Sequence, residues 1–261
     1  MPRTLLKLHG RLVLAAIAIF ALALSACGHS GESKTIAMVG ETKVTQATID
    51  HWMGVVLGGD YAAALNERAP DGLVSDPPHY ARCVSAAEGI VRRASARPKL
   101  TSAQLRVKCR QLNTAVKEQA LAYVLSVLWS REEGAELGIR LPDEAEISTQ
   151  LSALVDGQFA GPSNFQKTLA KQRRSLADVR FLIKRNILQT QISARIKARA
   201  ASLGGGARTI YELVLQNNAK RQARTICSPG YRAWECKQYG SAGEAKPPPA
   251  VVLERLYKGI A

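Results

Sequence analysis

The side chains best suited to chemistry in this sequence are five cysteines, Cys27, Cys83, Cys109, Cys227 and Cys236, and a few histidines. Zinc sites are usually built on close pairs such as C-x₂-C. No such pair exists here, and His29, His51 and His79 are scattered. The same lack of C-x-x-C argues against a redox-active dithiol. There is no G-x-S-x-G nucleophile turn and no H-E-x-x-H helix. Asp143, Glu144 and Glu146 form an acidic group, but the start of a helix accounts for them. The reading is therefore of no catalytic residues, no metal and no cofactor. What remains for the thiols is disulfide formation or covalent modification, and both depend on the compartment.

Residues 1–11 carry Arg3, Lys7 and Arg11 and no acid, and residues 12–26 are uncharged and mostly apolar. That run is short of the roughly 20 residues a bilayer span needs. It fits the apolar core of an export signal behind a basic leader. The run ends Leu24-Ser25-Ala26-Cys27, which resembles the bacterial lipobox. The resemblance implies that Cys27 is alkylated by a diacylglyceryl group and becomes the new N-terminus, and two acyl chains are enough for stable anchoring. The expectation is a signal over residues 1–26, a tether over 27–34, and a chain lipid-anchored on the extracytoplasmic face of the cell membrane. In an oxidising compartment the four later cysteines are expected to form two disulfides. Three pairings are open. Cys83 with Cys109 and Cys227 with Cys236 are favoured, since each closes a local loop and contributes about 2–4 kcal/mol.

The formal charge is +15, and removing the three leader charges leaves +12. Basic residues are spread over several segments rather than gathered in a block, and no zinc-finger or helix-turn-helix pattern is present, so no nucleic-acid partner is expected. A basic surface suits anionic headgroups instead. Few aromatics and abundant Ala and Leu favour helices over sheet.

The pattern predicts a hairpin over residues 35–44 turning at Gly40-Glu41, then a helix capped by Thr45 with Ile49, Trp52, Met53 and Val56 on one face and a stop at Gly58-Gly59. Residues 70–78 read as a loop and 79–94 as a helix carrying Cys83. The strongest helix runs from 102 to about 137, on the stripe Leu105, Cys109, Leu112, Val116, Tyr123, Val127 and Leu128. Asp143 caps the next, with Glu146 placed for a capping box, and Gly161-Pro162 ends it. A short helix carries Phe165 and Leu169, and Ser175 caps a long basic helix from 176 to about 202. Gly204-Gly205-Gly206 is a linker, residues 209–224 a further helix, and Pro229-Gly230 a turn that brings Cys227 and Cys236 together. Residues 241–261 form a Pro-rich tail with a stiff spacer at Pro247-Pro248-Pro249.

Taken together, residues 36–45 with Ile49-Asp50-His51-Trp52, the segment EGAELGIRLPDEAEI, the segment NFQKTLAKQRRSLADVRFLIKR and the ending RTICSPGYRAWECKQY resemble SurA/PrsA-type foldase lipoproteins of actinobacterial kind. The resemblance implies a mainly α fold: a SurA N-terminal-like helical chaperone domain over residues 35–202, with a short N-terminal β-hairpin. It also implies a C-terminal helix and disulfide loop over 209–240, the helix packing back onto the N-terminal helices. Many members hold a parvulin prolyl-isomerase domain between the long basic helix and the last one. Here only residues 203–208 lie there, far below the roughly 50 residues of a folded domain. The implied activity is a holdase or foldase-like chaperone without isomerase activity, its partners unfolded or partly folded exported polypeptides. Trp52, Trp129, Phe159 and Phe165 are the candidates for lining a client groove. The rival readings are a structural or adaptor envelope lipoprotein and a residual peptidyl-prolyl isomerase.

Overall fold

A computed structural model describes residues 34–74, 77–93 and 100–239. Cys27, the leader before it and the tail from 241 lie outside these residues. Among the described residues seven helices and three short strands are present, and no helix is long and apolar enough to cross a membrane.

The chain opens with β1 (Thr35–Val39) and β2 (Thr42–Thr45), paired antiparallel with Val39 opposite Thr42. Gly40 takes the left-handed conformation the tight turn requires (φ 55°). A two-stranded ribbon is marginal alone. Here it gains a third strand that the sequence pattern did not announce: β3 (Thr225–Cys227) pairs antiparallel with β1, giving the order β2-β1-β3. The two ends of the described chain thus meet in one sheet.

Helix α1 (Gln46–Leu65) starts at Thr45, whose hydroxyl accepts from the Thr48 amide. It does not stop at Gly58-Gly59 but continues to an αL cap at Asn66. The two glycines serve packing. A Cβ on Gly58 would lie 2.3 Å from the Gln172 carbonyl oxygen, and one on Gly59 would lie 3.0 Å from Arg174 Nη2. Glycine costs about 1 kcal/mol of helix propensity, and close approach of two backbones offsets it.

Helix α2 (Ala81–Arg93) is bonded to α3 (Ser102–Glu136) by the Cys83–Cys109 disulfide, whose sulfur-bearing residues are fully buried. The long α3 spans about 50 Å at 1.5 Å per residue. It begins in a Thr101–Gln104 capping box, and Gly138 (φ 65°) follows its end. Along it Leu105, Leu112, Val116, Leu121 and Leu125 are sealed in the main core with Ile36, Val39, Ile49 and Leu57. Tyr123 and Leu128, expected on the buried stripe, lie at its edge.

Three further helices form a second layer: α4 (Glu144–Phe159), α5 (Pro162–Gln172) and α6 (Leu176–Ser202). Asp143 caps α4 by accepting from the Glu146 amide at 2.9 Å. The other half of the expected capping box, Glu146 accepting from the Asp143 amide, is not formed; Arg140 instead donates to the second Asp143 carboxylate oxygen at 3.2 Å. After Leu203 to Gly206, α7 (Ala207–Ala223) packs on α6, and its last turns meet the end of α3 through Asn217–Glu133 (2.8 Å) and Lys220–Glu136 (3.2 Å). The C-terminal segment does return, but its helix sits on α3 and α6, and β3 is what reaches the N-terminal hairpin. A second disulfide, Cys227–Cys236, closes the loop behind β3.

The close approach at Gly58 sets one expectation. Gly58→Ala should destabilise the fold by about 2 kcal/mol or more, by overpacking, although alanine is the better helix former. Urea unfolding measures this; equal or greater stability would show that the α1–α5 contact is not tight.

Candidate client groove

The sequence singled out four aromatic residues, and the structure divides them. Trp52 is 7 % exposed and lies within the main core, its ring 4.7 Å from Tyr123 and 5.1 Å from Phe181. It fastens α6 onto α1 and α3. Trp129 is 5 % exposed, packs edge-on to Trp234, and donates its indole N–H to Thr225 Oγ1 at 2.8 Å. Neither indole is among the residues lining the groove between α4, α5 and α6. Both belong to the core, because each satisfies a fixed partner inside it.

Phe159 and Phe165 are brought together instead. They stack edge to face at 5.2 Å, in a small separate apolar cluster with Ile147, Leu169, Val179 and Ile183. Three helices cannot close over that cluster, and a groove of about 690 Å³ remains between α4, α5 and α6. Its apolar floor is Leu154, Phe159, Phe165, Leu169, Leu182, Ile183 and Ile187. Around it stand Gln150, Gln158, Gln172, Asn186, Thr190 and Gln191. In so basic a chain this lining has one acid, Glu146, and one base, Arg174. The Arg174 guanidinium lies over Gly59 on α1. The rim is thus mostly neutral amide and hydroxyl.

Such a rim has defined chemistry. An amide side chain both donates and accepts, so it can pair with the main chain of an extended segment, whose N–H and C=O groups must be satisfied on leaving water. The floor then takes apolar side chains at about 1.5–3 kcal/mol for each one fully buried. Two or three such side chains contribute about 3–9 kcal/mol before the costs of association and ordering are subtracted. The amides escaped the sequence reading because each is ordinary by itself. The signal was their placement within a turn of the apolar stripe, as with Asn186 and Thr190 beside Ile183 and Ile187.

The start of α6 positions one wall. Asp178 is buried, and its carboxylate accepts from the Ser175 amide (2.7 Å) and hydroxyl (2.8 Å) on one oxygen and from the His51 ring (2.7 Å) on the other. Serine, aspartate and histidine therefore meet, but with the acid in the middle. A nucleophilic serine needs the imidazole beside it, so this group is a clamp between α6 and α1. Burial alone would push the Asp178 carboxyl up; the Ser175 and His51 hydrogen bonds outweigh it and hold the group below its ordinary 3.8. Among the described residues no three His, Cys, Asp or Glu side chains gather to hold a metal ion.

No family model, curated protein or solved structure matches this chain.

A carboxyl held below its ordinary value stabilises the fold above about pH 3.8, and that contribution is lost as pH falls through its lowered pKa. Asp178→Asn should cost about 1–3 kcal/mol at pH 7, with the deficit shrinking as pH drops below 3.8. Denaturant melts of both proteins across pH 2.5–7 test this; a deficit independent of pH would remove the charge from the account.

Proposed function

We propose that this protein is a chaperone of unfolded exported polypeptides, held by lipid at Cys27 on the outer face of the cell membrane and without prolyl-isomerase activity of its own. One observation carries the chaperone reading: an open groove with an apolar floor and a neutral amide rim, on a chain whose main core is closed. Apolar floors accept many side chains, and amides pair with main chain whatever the sequence. Such a site favours non-native segments over one folded partner, which weighs against the adaptor reading. The anchor rests on the basic leader, the apolar run and Leu-Ser-Ala-Cys ending at Cys27. The two disulfides suit an oxidising compartment. The lack of isomerase activity rests on the short break between α6 and α7, where Leu203 to Gly206 leave no room for a folded domain. The resemblance to SurA/PrsA-type foldases points the same way.

Light scattering of a denatured, unrelated client tests the groove. The protein should suppress aggregation at near-stoichiometric ratio without speeding prolyl isomerisation. Leu154→Asp or Ile187→Asp, each half-buried in the groove wall, should abolish suppression while leaving the fold intact. Val107→Asp, at an exposed site on α3, should leave it unchanged. Equal activity in all variants would refute the groove, and fatty-acid label retained by Cys27→Ser would refute the anchor.

A further inference from the structure

The groove does not end at Gln191. Glu146 and Gln191 also line a shallower depression of about 420 Å³ over Gly138, Ile139 and Arg140, which Arg195 borders too. Arg195 in turn lines a cavity of about 400 Å³ between α3, α6 and α7. The three openings follow one another along α6 through Ile187, Gln191, Arg195 and Arg199. Residues four apart lie on one face of a helix, so the three openings are ranged along one face of α6, from the apolar floor to the last cavity.

That last cavity has a different character. Arg195, Arg199, Lys220 and Arg221 line it against two carboxylates, Glu133 and Glu136. Glu136 is already shared by Lys220 (3.2 Å) and Arg224 (3.8 Å). Among the described residues no carboxylate pairs with Arg195 or Arg199. Arg221 is 2 % exposed, yet its Nε and Nη1 make no hydrogen bond. Its nearest acids stand back, with Glu133 Oε2 3.7 Å from Nη1 and Glu136 Oε2 3.5 Å from Nη2. A buried guanidinium with idle N–H groups is costly, and a cavity with two more cations than acids is complementary to an anion. A carboxylate matches the guanidinium fork in geometry as well as charge.

We propose that groove and cavity form one extended site, which selects client segments whose apolar stretch is separated by about five or six residues from an acidic side chain. The spacing follows from the length of α6 between them. From Ile187 to Arg199 α6 rises about 18 Å, and an extended chain covers about 3.3 Å per residue. This inference rests on the groove reading and adds the identity of what the groove prefers.

Fluorescence anisotropy of the full chain at low salt tests it with three unstructured peptides, each carrying the same Leu-Phe-Leu stretch. One has an Asp after a Gly/Ser spacer of about five residues, one has the Asp directly beside the stretch, and one has Ala in its place. The spaced acid should bind about tenfold tighter than the Ala peptide, and the adjacent acid should gain little. An Arg195→Ala/Arg199→Ala double variant, at two exposed positions, should erase the difference. Lys43→Ala/Arg106→Ala removes the same charge from exposed sites elsewhere and should keep it. Equal binding of spaced and adjacent acids, or equal loss in both double variants, would reduce the effect to net charge and overturn the carboxylate pocket while leaving the groove. Absence of binding by all three peptides would instead overturn the groove itself, and this inference with it.

Discussion

The architecture depends on Thr225, a fully buried residue at the corner where α7 gives way to β3. Its hydroxyl accepts from the Trp129 indole at 2.8 Å and donates to the Arg221 carbonyl at 2.9 Å. One small side chain thereby joins α3, α7 and β3. Because the corner is fixed, β3 must run beside β1, and the Ser228 amide continues the ladder to the Ile36 carbonyl at 2.8 Å. The sheet that results is too small to stand alone. It is stable because helix, strand and disulfide all converge on it.

The same return explains why one core is closed and another is left open. The main core is surrounded by α1, α2, α3 and the sheet, so Trp52 and Trp129 find fixed partners and lose access to solvent. Among the described residues no further element covers the groove face of the α4–α5–α6 layer. Its apolar face is half covered, and Leu154, Phe159 and Ile187 remain partly exposed. The clamps at Gly58 against Gln172 and at His51 with Asp178 hold this layer to the rest from behind, so the groove is pre-formed. Pre-formation lowers the ordering cost of binding.

The sequence disclosed what is governed locally. Thr45, Asp143 and Ser175 cap helices because a short oxygen side chain satisfies an amide a few residues on. The two disulfides were legible because nearness in sequence favours loop closure. What the sequence hid is set by distant partners. Gly58-Gly59 reads as a stop until Gln172 arrives to need the space. Thr225-Ile226-Cys227 is too short to read as a strand until β1 offers an edge. Trp52 and Trp129 carry the same apolar signal as groove residues; only the rings of Tyr123 and Phe181 and the hydroxyl of Thr225 decide that they are core. The amide rim is legible only together with the apolar stripe beside it, since glutamine and asparagine are unremarked on any helix surface until an apolar floor lies between them.

Site-specific photo-crosslinking tests the groove most directly. A benzophenone amino acid placed at Leu154, at Ile187 or at the exposed Val107 is irradiated with an unfolded client, and the adducts are compared. Binding in the groove requires client adducts at 154 and 187 and few at 107. Adducts of equal yield at all three positions, or at 107 alone, would contradict it, because clients would then be meeting the surface rather than the groove.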